Sequence, residues 1–314
     1  MTNADTKSAF PARVRSMTLE AQGVLSVELE PLDGQRRPWT PGAHIDLAVA
    51  GAPVRQYSLC GDPEAVRLRI AVRREAESRG GSRAVHEVLR PGDEVTVRGP
   101  RNHFELVPAP AYLFIAGGIG ITPVLPMVRR AADAGIPWSL LYLGATRAGM
   151  AFLDEVAALP GGTVTVVARD AAPRADLAAV VAAHPDALVY ACGPEGMLAA
   201  LAELVPGADR LRVEHFSAPA VEYEPGGAFA VRLARSGQEF TVEPEQSVLE
   251  VLRDAGVDVI SDCEEGICGS CETTVLEGEI EHRDHILTPQ ERAKNDCMMT
   301  CVSRAACALL VLDA

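Results

Sequence analysis

Aromatic residues make up only 4% of this 314-residue chain, while 48% of it is apolar, a balance that suits globular α/β material. The opening residues, MTNADTKSAF, are polar and show no basic-then-apolar leader, so the cytoplasm is the expected location. Basic residues are in deficit: 29 Lys and Arg stand against 43 Asp and Glu, giving a formal charge of −14. That balance argues against nucleic acid as a partner. From Gly226 to the end seventeen acids face seven bases, so −10 of the charge lies in the last segment. There is no internal repeat or low-complexity tract. His44, His86 and His103 show no paired metal-ligand spacing and read as structural or surface residues. One long apolar run, Ala111 to Val128, has the length of a membrane helix. Gly117, Gly118, Gly120, Pro123 and Pro126 divide it into a buried strand, a glycine turn and a helix start, so no membrane span is expected.

Cysteine, by contrast, is placed with a pattern. Cys263-x4-Cys268-x2-Cys271 is followed after twenty-nine residues by Cys301. This is the thiolate spacing of a plant-type [2Fe-2S] cluster. Two irons need four soft anionic ligands, three from one tight loop and the fourth from a returning segment. Gly266 and Gly269 in the CEEGICGSC loop permit turns that aim amide N–H groups at sulfur. Cys297 is a rival fourth ligand, and Cys301 in MMTCVSRA is preferred for its longer return.

Three segments precede or contain that loop. From Phe10 to Pro108, short alternating runs such as VLSVELE, HIDLAVA and DEVTVRG are separated by Gly and Pro turns and predict a small antiparallel barrel. From Ala111 to Phe216, apolar strands alternate with Ala-rich helices, the pattern of a doubly wound parallel sheet. Residues from Ser217 to Gly227 read as an irregular linker. Beyond them FAVRLARSGQEFTVE predicts a hairpin turning at Ser236-Gly237, and Ser247 to Glu250 forms a capping box for a helix stopping at Gly256. The expected domains are 10–109, 110–216 and 228–314, with 217–227 between the last two.

Softer motifs carry chemistry in each segment. AGGIGITP, Ala116 to Pro123, follows a strand and opens a helix, so its glycines would let backbone approach a pyrophosphate at the helix N-terminus. Ser82 is the expected N-cap of a helix whose preceding Gly80 and Gly81 leave N–H groups open to phosphate. RQYSL offers a cation, a phenol and a hydroxyl, Arg55, Tyr57 and Ser58, to a flat electron-accepting ring, although a polar edge strand explains it equally well. Cys192-Gly193-Pro194 ends a later strand, where Cys192 is either a buried structural thiol or a neighbour of a bound ring. After the second strand of this sheet the chain reads LGATRAG. Arg147 there either meets a 2′-phosphate or faces water, and no acid stands at that strand end to grip a ribose diol.

With RQYSL, GGS, GGIGITP, CGP and C-x4-C-x2-C in this order, the chain resembles the family of phthalate dioxygenase reductase and vanillate demethylase reductase over nearly its whole length. The resemblance implies an antiparallel β-barrel binding FMN, a doubly wound α/β domain binding NADH in preference to NADPH, and an α+β, β-grasp-like [2Fe-2S] ferredoxin domain. It implies cofactor contacts from Arg55, Gln56, Tyr57, Ser58, Ala71, Val72 and Arg73 beside the flavin ring, and from Gly80, Gly81 and Ser82 near its phosphate. It implies Thr122 near the flavin, and for the nicotinamide side Gly117, Gly118, Gly120, Pro123, Thr146, Arg147, Cys192, Gly193 and Pro194, with Phe216 covering the flavin. Cys263, Cys268, Cys271 and Cys301 would hold the cluster, and no side chain would act as a catalytic acid or base. The implied activity is that of a monomeric reductase feeding a terminal oxygenase, Rieske-type in the first reading, a cytochrome P450 or other monooxygenase in the second. Hydride would pass from nicotinamide to flavin, which can then release electrons singly to the iron–sulfur centre.

Overall fold

The computed structural model describes residues 9–76, 80–205, 207, 209–217, 223, 226–261 and 263–314. The chain divides into two compact units, Met1–Glu214 and His215–Ala314.

The N-terminal unit begins with six antiparallel strands: β1 (Ala9–Ala21), β2 (Val24–Pro31), β3 (His44–Ala48), β4 (Arg55–Ser58), β5 (Leu68–Arg73) and β6 (Glu94–Arg101). Their order is β4-β3-β6-β1-β2-β5, and a single bridge, Leu59 to Ile70, joins the two ends into a barrel. Period-two alternation in β1 turns Phe10, Ala12 and Val14 inward, where they meet Leu29, Ile45 and Ile70. One short helix, α1 (Gly81–Glu87), caps this part. Ser82 does not cap it. Gly80 occupies the N-cap with φ 109°, a conformation glycine alone adopts readily, so Ser82 falls inside the first turn and accepts from the Glu75 N–H at 3.2 Å.

The same unit continues as β7 (Tyr112–Gly117), α2 (Ile121–Asp133), β8 (Trp138–Gly144), α3 (Leu153–Ala157), β9 (Gly162–Ala168), α4 (Leu177–Ala182), β10 (Leu188–Cys192), α5 (Glu195–Leu204) and β11 (Leu211–Glu214). These strands form a parallel sheet ordered β11-β10-β7-β8-β9. Alternate residues of β7 enter different cores: Tyr112, Phe114 and Ala116 on one face, Leu113 and Ile115 on the other. Burial on both faces explains the unbroken apolar run that resembled a membrane helix. Among the described residues no helix is long and apolar enough to cross a membrane. The run divides as expected into a strand, a glycine turn and a helix, and Pro126 lies inside α2.

The core containing Phe114 also takes in Val24, Cys60 and Ala71 of the barrel, so barrel and sheet share packing. An ionic network reinforces the seam. Arg69 on β5 pairs with Glu20 at 2.8 Å and with Glu155 of α3 at 2.9 Å, while Arg129 of α2 pairs with Glu155 and donates to the Cys60 carbonyl at 3.1 Å. These side chains are about one-fifth to one-third exposed or less, so solvent screens the network only partly.

In the C-terminal unit, β12 (Phe229–Leu233) and β13 (Glu239–Val242) form the expected hairpin, with Gly237 at φ 73°. Helix α6 (Val248–Asp254) opens on a complete Ser247–Glu250 capping box, and Gly256 follows at φ 75°. The sequence patterns did not delineate the remainder: β14 (Glu272–Glu277), β15 (Ile280–Glu281), α7 (Pro289–Lys294), β16 (Cys297–Met299), β17 (Arg304–Ala305) and β18 (Leu309–Leu312). The mixed sheet runs β13-β12-β18-β14-β16, with β12 parallel to β18, the β-grasp arrangement, and β15 pairs separately with β17. Arg304 is buried, and its guanidinium donates to the carbonyls of Gln246, Gly227 and Glu243 at 2.6, 3.1 and 3.1 Å. It also lies 5.0 Å over the Phe229 ring. Residues 217–227, read as a linker, fall largely outside the described residues.

Candidate functional site

The parallel sheet changes direction between β7 and β10: the chain winds outward through β8 and β9, then returns to the other side of β7. The crevice at the carboxyl ends of those two strands is where ligands bind in such sheets. Its walls are the Gly117–Gly120 turn and the Cys192–Pro194 turn. A Cβ on Gly120 would stand 2.2 Å from the Cys192 carbonyl oxygen, and one on Gly117 would stand 2.5 Å from Pro194. A Cβ on Gly193 would meet Met197 and the Gly117 backbone at 2.7 and 2.9 Å. Three of the motif glycines are therefore dictated by contact between the two turns rather than by an approaching pyrophosphate. Only Gly118, at φ 57°, faces open space, with the Arg73 guanidinium 3.6 Å from its notional Cβ. Thr122 is buried in the first turn of α2 and donates to the Ile119 carbonyl at 2.9 Å, ahead of Pro123.

Strand β4 brings the barrel to this crevice. Tyr57 pairs with Ile45 and packs against the barrel core, whereas Gln56 and Ser58 pair with Asp46 and His44 on the opposite face. The residues that looked like one set in RQYSL thus divide between two faces. Gln56 donates to Asp46 at 3.0 Å, and Asp46 is clamped by Arg101 at 2.5 Å. Burial pushes the Tyr57 phenol up to about 12, against the opposing pull of Arg55. Ser58 donates to Glu214 Oε2 at 3.3 Å, and the Cys192 sulfur is 4.0 Å from the same oxygen. Glu214 closes β11 and went unnoticed in the sequence, where nothing marks it from other strand acids. Desolvation pushes its carboxyl up to about 8, against the lowering effect of the Ser58 hydroxyl. Burial likewise holds the Cys192 thiol well above its ordinary value, as a neutral group, with Glu214 adding to the effect.

Of the remaining flavin-side residues, Val72 turns into the barrel core and its carbonyl meets His86 at 2.9 Å, while Ala71 faces the core shared with the sheet. Arg73 pairs with Glu75 at 2.7 Å. Gly81 has a local reason: a Cβ there would overlap the Arg55 side chain at 2.4 Å. Its absence lets the Arg55 side chain cross the start of α1, and the guanidinium donates to the Val54 carbonyl at 2.8 Å. At the end of β8, Thr146 accepts from the Gly149 N–H at 3.2 Å, and the Arg147 N–H reaches Asp170. The strand end that lacked an acid in sequence therefore has one in space. Phe216 belongs to the C-terminal unit and is 43% exposed.

In that unit the four thiols of the spacing motif come together. The sulfurs of Cys271 and Cys301 are 3.2 Å apart, and the Cys263 thiol faces those of Cys268 and Cys301. Those two thiols favour the Cys263 thiolate, as do the amides of Glu265 and Ile267. The Glu265 N–H donates to Cys263 at 3.3 Å and the Ser270 N–H to Cys268 at 3.5 Å. Gly266 and Gly269 take φ 70° and 73°, the left-handed turns that aim these amides inward. Such a set of soft donors with sulfur-directed amides fits a [2Fe-2S] centre. Cys297 stands apart on β16, opposite Thr274, and burial pushes its thiol up to about 12.

Comparison with known proteins agrees with this geometry. Residues 231–306 match the 2Fe-2S iron-sulfur cluster binding domain. The chain is 43% identical to phenoxybenzoate dioxygenase subunit beta of Ectopseudomonas oleovorans, with 100% of each chain aligned. It superposes on phthalate dioxygenase reductase, described as modular for electron transfer from pyridine nucleotides to [2Fe-2S], with TM-score 0.69, 35% identity and 100% of each chain covered. A type IV self-sufficient cytochrome P450 monooxygenase gives TM-score 0.92 and 45% identity over 98% of this chain, which spans only 41% of that protein. The chain belongs to the phthalate dioxygenase reductase family, the flavin and iron–sulfur reductase components of oxygenase systems.

Proposed function

We propose that this chain is the reductase component of a two-component oxygenase, moving electrons from NADH through FMN to a [2Fe-2S] centre and on to a Rieske-type terminal oxygenase acting on an aromatic or similar small substrate. The reading rests on one observation: a nicotinamide crevice that opens on the barrel strand β4 and a loop of four converging thiols occur in one chain. Segments 10–109, 110–216 and 228–314 are assigned to the flavin, the nicotinamide and the cluster. Flavin accepts a hydride and releases electrons singly, which joins a two-electron donor to a one-electron acceptor.

The side chains bind, orient and exclude water. Arg55 takes the flavin phosphate, and Ser58, on the face of β4 that meets Glu214, lines the ring. The crevice walls at Gly117–Gly120 and Cys192–Pro194 hold the nicotinamide, with the neutral Cys192 thiol buried behind the second wall. Glu214, uncharged below about pH 8, places no anion where hydride must arrive, and its carboxyl holds a proton next to the Ser58 hydroxyl. Cys263, Cys268, Cys271 and Cys301 hold the cluster.

Anaerobic addition of NADH to the purified protein tests the assignment: bleaching of flavin absorbance followed by an iron–sulfur paramagnetic signal is the expected result, and an inert flavin is the result that defeats it. Delivery to a cytochrome P450 is a second reading, supported by the type IV monooxygenase that carries a similar module. Reconstitution with each class of oxygenase separates the two.

A further inference from the structure

The loop between β15 and α7, residues 282–288, carries no thiol, yet it is bonded to both segments that do. The His285 N–H donates to the Gly266 carbonyl at 2.9 Å, inside the turn between Cys263 and Cys268. Gly266 has no room for a side chain there: a Cβ would stand 3.2 Å from the Asp284 Cα and 2.6 Å from Val302. On the other side the Arg283 N–H donates to the hydroxyl oxygen of buried Ser303 at 3.2 Å, just past Cys301. The loop takes its shape from Asp284, which is 1% exposed. One oxygen of its carboxylate accepts from the Ile286 and Leu287 N–H groups at 3.3 and 2.9 Å, and the other accepts from His282 Nδ1 at 3.3 Å. Arg292 of α7 lies 3.5 Å from the first oxygen and also donates to the Asp284 carbonyl. A carboxylate this deeply buried fixes its partners, because each would otherwise lose a charge-assisted bond.

We propose that Asp284 is a positioning residue for the iron–sulfur centre. By fixing the loop it holds the Gly266 turn, whose neighbouring Glu265 N–H is aimed at Cys263, against the return segment that carries Cys301. The inference rests on the assignment of a [2Fe-2S] centre to Cys263, Cys268, Cys271 and Cys301. Residues that orient a metal's ligands without touching the metal change its affinity by about 10- to 100-fold when replaced.

The test compares the holoprotein with Asp284→Ala, Asp284→Asn and Arg292→Met. Two properties are read in each: the rate of iron release to a chelator, followed by loss of cluster absorbance, and the paramagnetic resonance spectrum of the reduced cluster. Asp284→Ala should release iron at least about tenfold faster than wild type and broaden the resonance. Asp284→Asn, which keeps an acceptor oxygen for Ile286 and Leu287, should recover part of the wild-type rate, and Arg292→Met should also fall between wild type and Asp284→Ala. Bound flavin and far-ultraviolet circular dichroism should not change. A wild-type release rate in Asp284→Ala, or faster release matched by loss of the dichroism signal, overturns the proposal. Should Asp284→Ala fail to fold, a wild-type rate and spectrum in Arg292→Met overturns it. A wild type that takes up no [2Fe-2S] centre defeats the proposed function as well, whereas a wild-type cluster indifferent to Asp284→Ala defeats the positioning role alone.

Discussion

At the scale of single residues, Glu214 carries the sharpest expectation. Its folded-state carboxyl lies at about 8 against an ordinary 4.5, so the folded protein binds a proton that the unfolded chain releases. The associated stability is fully present below pH 4.5 and is lost as pH rises toward 8. The loss should total about 5 kcal/mol or less, given the size of the shift. Glu214→Gln should therefore melt higher than wild type at pH 9 and close to it at pH 5. Identical pH profiles for the two proteins would refute the assignment. In flavin reduction the same substitution should remove a fall in rate above about pH 8. The cluster loop gives a second residue-level expectation: Cys301→Ala should abolish the iron–sulfur absorbance while flavin remains bound, and Cys297→Ala should leave both. The reverse pattern would exchange the fourth ligand. What was legible in sequence differs between these sites. Four cysteines declare themselves by spacing because one tight loop supplies three of them. Glu214 could not be found that way, since its partner Ser58 lies 156 positions earlier and meets it only when barrel and sheet pack together. Asp170 was hidden for a related reason, as the acid comes from the third strand rather than the second.

At the scale of elements, the meeting of the two glycine turns is the most demanding contact in the crevice. Gly120→Ala places a methyl 2.2 Å from a carbonyl oxygen, so β7–α2 and β10–α5 must separate. A cost of about 2 kcal/mol or more and loss of nicotinamide binding are expected. Gly118→Ala meets only the end of a flexible arginine and bears the left-handed backbone cost, about 1 kcal/mol. Urea denaturation of the two variants checks the order, and equal destabilisation would contradict it. Elements were mostly readable from their periods: two for the barrel strands, continuous apolar runs for the parallel ones, a capping box for α6. Ser82 misled because hydroxyl-before-helix is a pattern that ignores backbone, and Gly80 already occupied the cap with a dihedral no serine would choose. The short strands β15 and β17, two residues each, carry no period to read.

At the scale of the molecule, charge is distributed by segment, with −10 from Gly226 onward beside the thiol loop. Electron transfer to a basic oxygenase surface should slow as ionic strength rises, whereas flavin reduction by NADH should change little. Stopped-flow measurement of both steps across a salt series decides this, and a partner step indifferent to salt would leave the acidic face as a solubilising surface. Within that face Glu264 is already paired with Arg253 at 2.6 Å, so Glu264→Gln alone should change the partner step little. Asp262, a further acid of the same loop, lies outside the described residues.

Arg304 gives the C-terminal unit a mechanical property. Its guanidinium grips carbonyls on both sides of the first hairpin, at Gly227 before β12 and at Glu243 and Gln246 after β13. A pull on the chain entering the unit therefore loads three charge-assisted hydrogen bonds, each worth about 1.5–3 kcal/mol, before it can peel β12 from its neighbours. The grip works as a strain relief at the point where a cable enters its housing. Stretched from its ends in a force spectrometer, Arg304→Met should yield at lower force than wild type, with the iron–sulfur loop itself unaltered.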